Sequence, residues 1–473
     1  MGHFCILGFG RTGISTAHYL RQQGHHLVVW DDQVARRNRA EQDGFTLFSQ
    51  SFPWSQSTLI ASPGVGKHPL IQEAGKNGCR VISDIQLFFE HFPDIQSIGV
   101  TGSNGKTTTC ALIHHGLTQH GVPCVLAGNM GIPIFSTLVD GKAGLGIYIL
   151  ELSSYQLELS APLPLDVAII LNLFPHHLDR HGTMAQYRFI KNTILKRAQR
   201  SWVPHHWLLP ENHGPVSPYM VQAPRIPEIG ASPDQLTHLL PENHGPVSPY
   251  MVQAPRIPEI GASPDQLTHH WSPSMVQGYT VPKGLDNTHS RDNMAAAIGA
   301  LWSFGCTNRD AFINFKGLEH RQEELGCWHN IVYCNDSKAT NPHAAALALQ
   351  AYAGAPIYWI AGGVIEEDDL SILDHCAPHI THGFFIGQAR HRYAAWLSTH
   401  HVPVTICDSL DQAVAWAHTM ATQKDPGNSL KTVLLSPGCA SLDQFQDFEH
   451  RGKVFKTCVM RHINPKKTSQ ENP

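Results

Sequence analysis

The sequence predicts an α/β protein of three domains built on mostly parallel sheets. Three observations carry that expectation. At 473 residues the chain exceeds what a single hydrophobic core supports. Apolar runs of strand length alternate with stretches of helical periodicity along most of it, the pattern of parallel sheets covered by helices. Two glycine-rich turns, one beginning at Gly8 and one at Gly99, each follow an apolar run and open a helical one.

The first module, residues 1–92, begins with the strand HFCILG, the turn FGRTG and the helical stretch ISTAHYLRQQG, whose last glycine marks a helix end, before a second strand HLVVWDD. Gly8, Gly10 and Gly13 have the G-x-G-x-x-G spacing and Asp31 closes the next strand, so this βαβ unit meets the dinucleotide-binding fingerprint of a Rossmann-like domain. A second turn, SPGVGKHP, follows a strand near Leu59 and precedes the helical LIQEAGKNG and the strand RVISD. A hinge is expected near Pro93.

The second module, 93–320, opens on the strand, loop and helix of IQSIGVTGSNGKTTTCALIHHG and continues with strands GIYILELSS and DVAIILNLF. Within it the proline-rich segment Leu208–His238 recurs without change as Leu239–His269. Solenoid repeats diverge and number at least three, so these two identical copies read as a tandem duplication. The surplus copy is expected as a surface excursion, since added loop length costs little entropy. The third module, 321–473, carries strands IVYCNDS, IYWIAGG, HGFFIG, VTICDS and TVLLSPG, separated by the helical ATNPHAAALALQAYAG and LDQAVAWAHTMATQ, and ends in a polar tail expected to fray.

Composition excludes several function classes. A formal net charge of -4 leaves no basic surplus for nucleic acid or an anionic membrane. No run approaches the ~18 apolar residues of a membrane span, and the N-terminus lacks a basic start and a cleavage site. A cytoplasmic, monomeric protein acting on small molecules is expected. The 11 cysteines, irregularly spaced and without a C-x-x-C pair, argue against a disulfide framework or zinc knuckle and are read as buried thiols.

The chemistry concentrates in the second module. Gly99, Gly102 and Gly105 lead into Lys106 and Thr107 between a strand and a helix, where backbone N–H groups and the helix dipole favour phosphate oxygens. In such a loop the lysine bridges the β- and γ-phosphates of ATP and the threonine hydroxyl meets Mg²⁺. One following strand ends in Glu151, and the next leads to His177 and Asp179. A carboxylate and an imidazole at neighbouring strand ends, beside a phosphate loop, can hold Mg²⁺ directly or through water. Alone, the Gly8 fingerprint points instead to an NAD-dependent dehydrogenase, a reading that leaves the ATP-type loop unexplained.

Taken together, TGSNGKTT, GNMGIP, ELSSYQLE, HLDRHGTMAQYRFIK, HRQE, NDSKATN and LSPGCASLDQFQDFEHRGKVF resemble the Mur ligases, ATP-dependent amide-bond-forming enzymes of peptidoglycan precursor synthesis. The resemblance covers nearly the entire chain, and the last two segments are most similar to the branch that adds D-glutamate to UDP-N-acetylmuramoyl-L-alanine. It implies a Rossmann-like N-terminal domain for the UDP end of the substrate, a central P-loop ATPase domain with a mostly parallel sheet, and a C-terminal Rossmann-like α/β domain. It also implies a reaction in which ATP phosphorylates the substrate carboxylate and the amine of D-glutamate attacks the acyl phosphate.

Position by position, the resemblance implies that Gly10, Arg11, Thr12, Gly13, Asp31, the Ser62-Pro63-Gly64 turn and Asn129 contact the UDP substrate. Gly102, Ser103, Asn104, Gly105, Lys106, Thr107 and Thr108, with Asn293, Arg321 and Asp336, would contact ATP. Lys338, Thr340, Ser441, Leu442 and Phe448 would surround D-glutamate. Lys106, Glu151, His177 and Lys191 would be catalytic, with Mg²⁺ on Thr107, Glu151, His177 and a carbamate formed on Lys191. Three positions depart from the family pattern: His176 stands where an aspartate is usual, Ser290 replaces an asparagine, and Glu366 stands where a lysine usually receives D-glutamate. An anion at that last position would repel an anionic amino acid. A Mur-type ligase with a different amino acid, a folylpolyglutamate synthase, and a homologue that binds substrate without turnover stay open as alternatives.

Overall fold

The structure is a computed structural model and describes residues 2–129, 131–208, 267–282, 288–365, 369–423 and 429–463. The chain parts into two compact units, Met1–Phe315 and Lys316–Pro473. Two sheets lie in the first and one in the second.

The first sheet is formed within β1 (His3–Leu7), α1 (Arg11–Gln22), β2 (His26–Trp30), α2 (Val34–Gln42), β3 (Thr46–Leu47), β4 (Ser57–Ala61), α3 (Pro69–Lys76), β5 (Arg80–Ile82) and α4 (Asp84–His91). Its strands run in the order β3-β2-β1-β4-β5, every pair parallel. Strand order reverses at β1, which makes the carboxyl ends of β1 and β4 a topological switch point. The turns at residues 8–13 and 62–64 both sit there.

The second sheet comprises β6 (Ser97–Thr101), α5 (Lys106–Gln119), β7 (Cys124–Gly128), β8 (Ile147–Glu151), α6 (Ser154–Glu158), β9 (Val167–Ile170), α7 (Leu178–His181), α8 (Met184–Asn192), β10 (Arg200–Pro204), β11 (Leu267–Trp271) and α9 (Thr288–Ser303). Its order is β11-β10-β9-β6-β8-β7, again all parallel. Every residue of β6, β8 and β9 is buried, which is why these strands read as continuous apolar runs rather than alternating ones. β11 begins in the last three residues of the second copy, so part of the duplication is structural; apart from its ends, the doubled segment lies outside the described residues.

The third sheet belongs to β12 (Glu323–Trp328), β13 (Ile331–Asn335), α10 (Pro342–Ala351), β14 (Ile357–Gly362), β15 (Ile380–Ile386), α11 (Arg390–Thr399), β16 (Val404–Ile406), α12 (Leu410–Gln423), β17 (Lys431–Leu435) and α13 (Phe448–Ile463). Its order is β12-β13-β17-β14-β15-β16. All pairs are parallel except the β12–β13 hairpin, which closes through His329 and Asn330 at φ 51° and 61°. Two consecutive left-handed residues match the twist of flanking strands. The cysteines are free, but the buried-thiol expectation fails at two of them. Cys327 is exposed because it faces outward on the edge strand β12, and Cys124 is only partly buried at the start of β7. Among the described residues no helix is long and apolar enough to cross a membrane.

Two outcomes follow from this packing. Deleting residues 239–269 joins Leu236-Thr237-His238 to His270-Trp271 and regenerates the sequence of β11. The deletion should leave the calorimetric melting temperature within about 3 °C of the full chain, and a fall of about 10 °C would show the second copy to be structural. The second outcome concerns Asp84, which is buried at the start of α4 and accepts a 3.3 Å bond from Gln156 Nε2 of α6; burial pushes its pKa up to about 6. The folded chain then binds this proton more tightly than the unfolded one, so stability falls as pH rises from about 4 through 6. Asp84→Asn removes that penalty and should gain about 2–3 kcal/mol over wild type at pH 8, with the gap closing towards pH 4 in denaturant titrations. An equal effect at both pH values would refute this account.

Candidate functional site

The loop between β6 and α5 is stapled to the segment following β9. Ser103 N–H donates to the Asn172 carbonyl at 2.9 Å, Asn104 N–H donates to Asn172 Oδ1 at 2.9 Å, and Asn172 Nδ2 returns a bond to the Asn104 carbonyl at 3.2 Å. Ser103 Oγ donates to the Phe174 carbonyl at 3.0 Å and accepts from its N–H at 2.9 Å, with Tyr187 Oη 3.0 Å away. That hydroxyl is spent on the fold. Gly105 caps α5 at φ 85°, and a methyl group there would overlap Asn293 Oδ1 on α9. The Lys106 ammonium donates to the carbonyls of Gly102 and Ser103 at 2.9 Å each. With Thr107 and Thr108 in its first turn and no acidic residue there, the α5 N-terminus presents positive charge to the loop.

A cavity of about 250 Å³ opens at these strand ends. Pro63 and Gly64 line it from the first sheet; Gly102, Lys106, Asn129, His176, His177 and Lys191 line it from the second, with Ser153, Ser154, Tyr155 and Tyr187. Sequence reading missed those last four. For the first three the signal lay in ELSSYQLE, where Ser153 and Gln156 form a capping box that fixes the turn just after Glu151, whereas Tyr187 comes from α8.

Glu151 is 3% exposed; its Oε1 accepts from Asn129 Nδ2 at 3.3 Å, while Oε2 has no hydrogen-bond partner among the described residues. A buried carboxylate oxygen without a donor calls for a cation or a proton. Lys191 is 2% exposed, donates to Thr101 Oγ1 at 2.9 Å and stands 5.1 Å from the centre of the Tyr187 ring. Burial, and after it the charge of Lys106, push its pKa well below that of an ordinary lysine against the pull of Glu151. His177 caps α7 in the left-handed region at φ 55°, its ring 4.9 Å from that of Tyr155 and 3.7 Å from that of His176. α7 is locked to α6 by Arg180, which pairs with Glu158 at 2.8 Å and lies 4.5 Å over Tyr155, and by His181 Nε2 at 3.0 Å from Ser154 Oγ. The Asp179 side chain lies outside the described residues, as does Glu366. Among the described residues no three His, Cys, Asp or Glu side chains converge as a metal cage. A cation here would complete its shell from water or phosphate, as Mg²⁺ does.

In the first sheet, Gly10 caps α1, Thr12 and Gly13 lie in its first turn, and Arg11 reaches the Gly131 carbonyl at 2.9 Å. Ser62 Oγ donates to the Gly8 carbonyl at 2.8 Å and joins the two turns. Asp31 is buried and its oxygens are taken: Oδ2 accepts from Phe9 N–H at 2.7 Å and pairs with Arg36 at 3.3 Å, and Oδ1 accepts from Gln33 N–H at 2.9 Å. The carboxylate ties the turn after β1.

In the second unit Asp336, Lys338 and Thr340 follow β13, Ser441 and Leu442 follow β17, Arg321 precedes β12 and Phe448 opens α13. Asp336 accepts from Gln322 N–H at 3.1 Å and from the Ser436 hydroxyl at 2.8 Å, and burial pushes its pKa up to about 7. Arg321 lies between His320 and Gln322, both with positive φ, at 64° and 43°. The Lys338 ammonium stands 3.7 Å from the centre of the Phe448 ring, Ser441 is buried, and Leu442 is 70% exposed. Thr340 directly precedes Asn341, which caps α10. Three loops interlock here: Gly362 N–H donates to the Pro437 carbonyl at 3.0 Å, Gly438 N–H to the Ala339 carbonyl at 2.9 Å, and Val364 and Ala440 exchange bonds of 2.8 and 2.9 Å.

A family model described as the Mur ligase middle domain matches residues 100–203, and one described as the Mur ligase MurD-like N-terminal domain matches residues 2–83. The UDP-N-acetylmuramoylalanine--D-glutamate ligase of Dinoroseobacter shibae is 34% identical, with 97% of each chain covered, and that of Rickettsia bellii is 32% identical, with 95% of each covered. The crystal structure of UDP-N-acetylmuramate-alanine ligase MurC from Thermotoga maritima shares the fold at a TM-score of 0.55 and 16% identity, covering 98% of this chain and 100% of that one. The MurF ligase of the same organism, in complex with ADP, does so at 0.51 and 16%, covering 86% and 95%.

Proposed function

Because the chain belongs to the Mur ligase family, and is an ATP-dependent amide-bond ligase of peptidoglycan synthesis, we propose that it joins D-glutamate to UDP-N-acetylmuramoyl-L-alanine in the cytoplasm. The observation that carries the reading is the cavity in which the phosphate loop, the Pro63-Gly64 turn, Asn129, His177 and Lys191 meet. End-to-end likeness to relatives named for that reaction supports the choice of amino acid.

In this reading residues 1–92 take the UDP end of the substrate through the turns at Gly10–Gly13 and Ser62–Gly64, with Asn129 beside them. Residues 93–320 hold ATP on Gly102–Thr108 and Asn293, and 321–473 supply Arg321 and Asp336 to the nucleotide and Lys338, Thr340, Ser441, Leu442 and Phe448 to D-glutamate. Leu442, being exposed, would contribute its backbone. Glu151, whose Oε2 lacks a partner among the described residues, would hold the Mg²⁺ that Mur ligases use with ATP, together with the His177 imidazole and the Thr107 hydroxyl, and the ion would supply charge neutralisation among phosphate and carboxylate oxygens. Lys106 holds the β- and γ-phosphates beside the substrate carboxylate. The γ-phosphoryl passes to that carboxylate, the amine of D-glutamate attacks the resulting acyl phosphate, and phosphate leaves.

Lys191 enters this scheme as a carbamate. Its buried amine sheds its proton readily, and a neutral amine is the form that adds CO₂; the product is an anion that offsets Lys106 and adds an oxygen ligand beside Glu151.

Phosphate release with purified protein, MgATP, UDP-N-acetylmuramoyl-L-alanine and a panel of amino acids tests the proposal. Release should depend on D-glutamate; dependence on another amino acid would reassign the acceptor, and no release with any would leave a substrate-binding homologue. Lys191→Ala should lower the rate at least about a hundredfold, with partial recovery on adding acetate or formate. Full activity without those anions would sink the carbamate.

A further inference from the structure

Arg451, in the first turn of α13, is fully buried, and among the described residues it forms no ion pair. Its donors go instead to three strand ends. Nε donates to Ser337 Oγ at 3.0 Å, Nη2 donates to the carbonyls of Ser337 and Cys439 at 2.9 and 3.0 Å, and Nη1 points to the Gly362 carbonyl at 3.4 Å. Ser337 follows β13 and immediately precedes Lys338, Gly362 ends β14, and Cys439 follows β17 two residues before Ser441. Ser337 Oγ donates in turn to the Phe448 carbonyl at 2.8 Å, which ties the aromatic partner of Lys338 into the same node. α13 is pressed close to make this possible: a methyl group on Gly452 would overlap the His320 ring.

Packing alone does not call for this residue. A desolvated guanidinium is a costly core filler, and an apolar side chain would occupy the volume without that penalty. What the guanidinium adds is a rigid fork of donors wide enough to grip three carbonyls at once. We infer that Arg451 is a positioning residue for the amino-acid acceptor: it fixes the loops bearing Lys338, Thr340 and Ser441 relative to one another and so sets affinity for the incoming amino acid. The inference rests on the proposed acceptor role of those loops.

Full-length Arg451→Met, Arg451→Lys and Ser337→Ala, the last removing the Nε acceptor together with the bond to the Phe448 carbonyl, are compared with wild type by phosphate release with each substrate varied, alongside melting temperature. For the Met variant KM for D-glutamate should rise about tenfold or more, with a smaller rise for Ser337→Ala and partial restoration in Arg451→Lys, while KM for the UDP substrate stays within about twofold. A merely structural role would lower kcat in step with folded protein and leave every KM alone, and that result overturns the inference. If the Met variant does not fold, Ser337→Ala decides, and a wild-type KM for D-glutamate there refutes it. Failure of the functional reading shows separately, in wild-type protein that ignores D-glutamate; the series is then read on whichever amino acid supports release, and a wild type inactive with all of them overturns both.

Discussion

The seam between the Gly102–Lys106 loop and the Asn172–Phe174 segment is the interaction on which the site depends. Parallel pairing brings the carboxyl ends of β6, β8 and β9 side by side, but it does not by itself decide how the loops leaving them are aimed. The seam does. It comprises five bonds of ordinary length between Ser103 or Asn104 and Asn172 or Phe174, each worth about 1 kcal/mol net. With the loop so fixed, Lys106 cannot drift from the head of α5. Tyr187, which meets Ser103 from α8, brings Lys191 four residues further along the same helix face into the cavity.

What was legible in the sequence follows the same physics. Strands buried on both faces, such as those ending in Thr101, Glu151 and Ile170, announce themselves as unbroken apolar runs, and glycine turns announce the loops after them. Five strands were not anticipated; β3, Thr46–Leu47, is too short to show a pattern, and each of the other four hides for its own reason. β12 carries two glutamates, a bulge between Glu324 and Gly326, and a hairpin closed by His-Asn instead of Asn-Gly. β10 ends in Pro204, a residue that argues against a central strand unless it stands last. β7 meets small residues and an asparagine where a long apolar run would have marked it, and β11 overlaps a duplicated segment that reads as a loop.

The site was less legible than the fold because a motif gives positions without occupancies. Asp31 satisfies the dinucleotide fingerprint by place, while its oxygens also hold Phe9, Gln33 and Arg36. Ser103 satisfies the phosphate-loop pattern, yet its hydroxyl is committed to Phe174 and Tyr187. Glu151 is the reverse case, a residue whose spacing says little and whose unpartnered Oε2 says much. The residues that sequence reading passed over, Tyr155, Tyr187 and Arg451, act through packing partners far away in the chain.

Two buried cations show how one physical cost yields opposite outcomes. Desolvation penalises the charged form of Lys191 and of Arg451 alike, and in both it is the leading influence on the proton. Lys191 begins from a lysine's affinity for its proton, has the Thr101 hydroxyl as its hydrogen-bond acceptor and feels Lys106, so its hold on the proton is weakened. Arg451 begins higher, is pushed down only to about 10, and meets carbonyls and a hydroxyl from three loops, so at neutral pH it keeps its charge and becomes a clamp. The lysine leaves an amine on the cavity wall, whereas the arginine ties the loops after three strands together. Exchanging them would cost in both directions: an arginine at 191 has no neutral form to react with CO₂, and a lysine at 451 keeps the charge but lacks the planar fork that spans three strand ends.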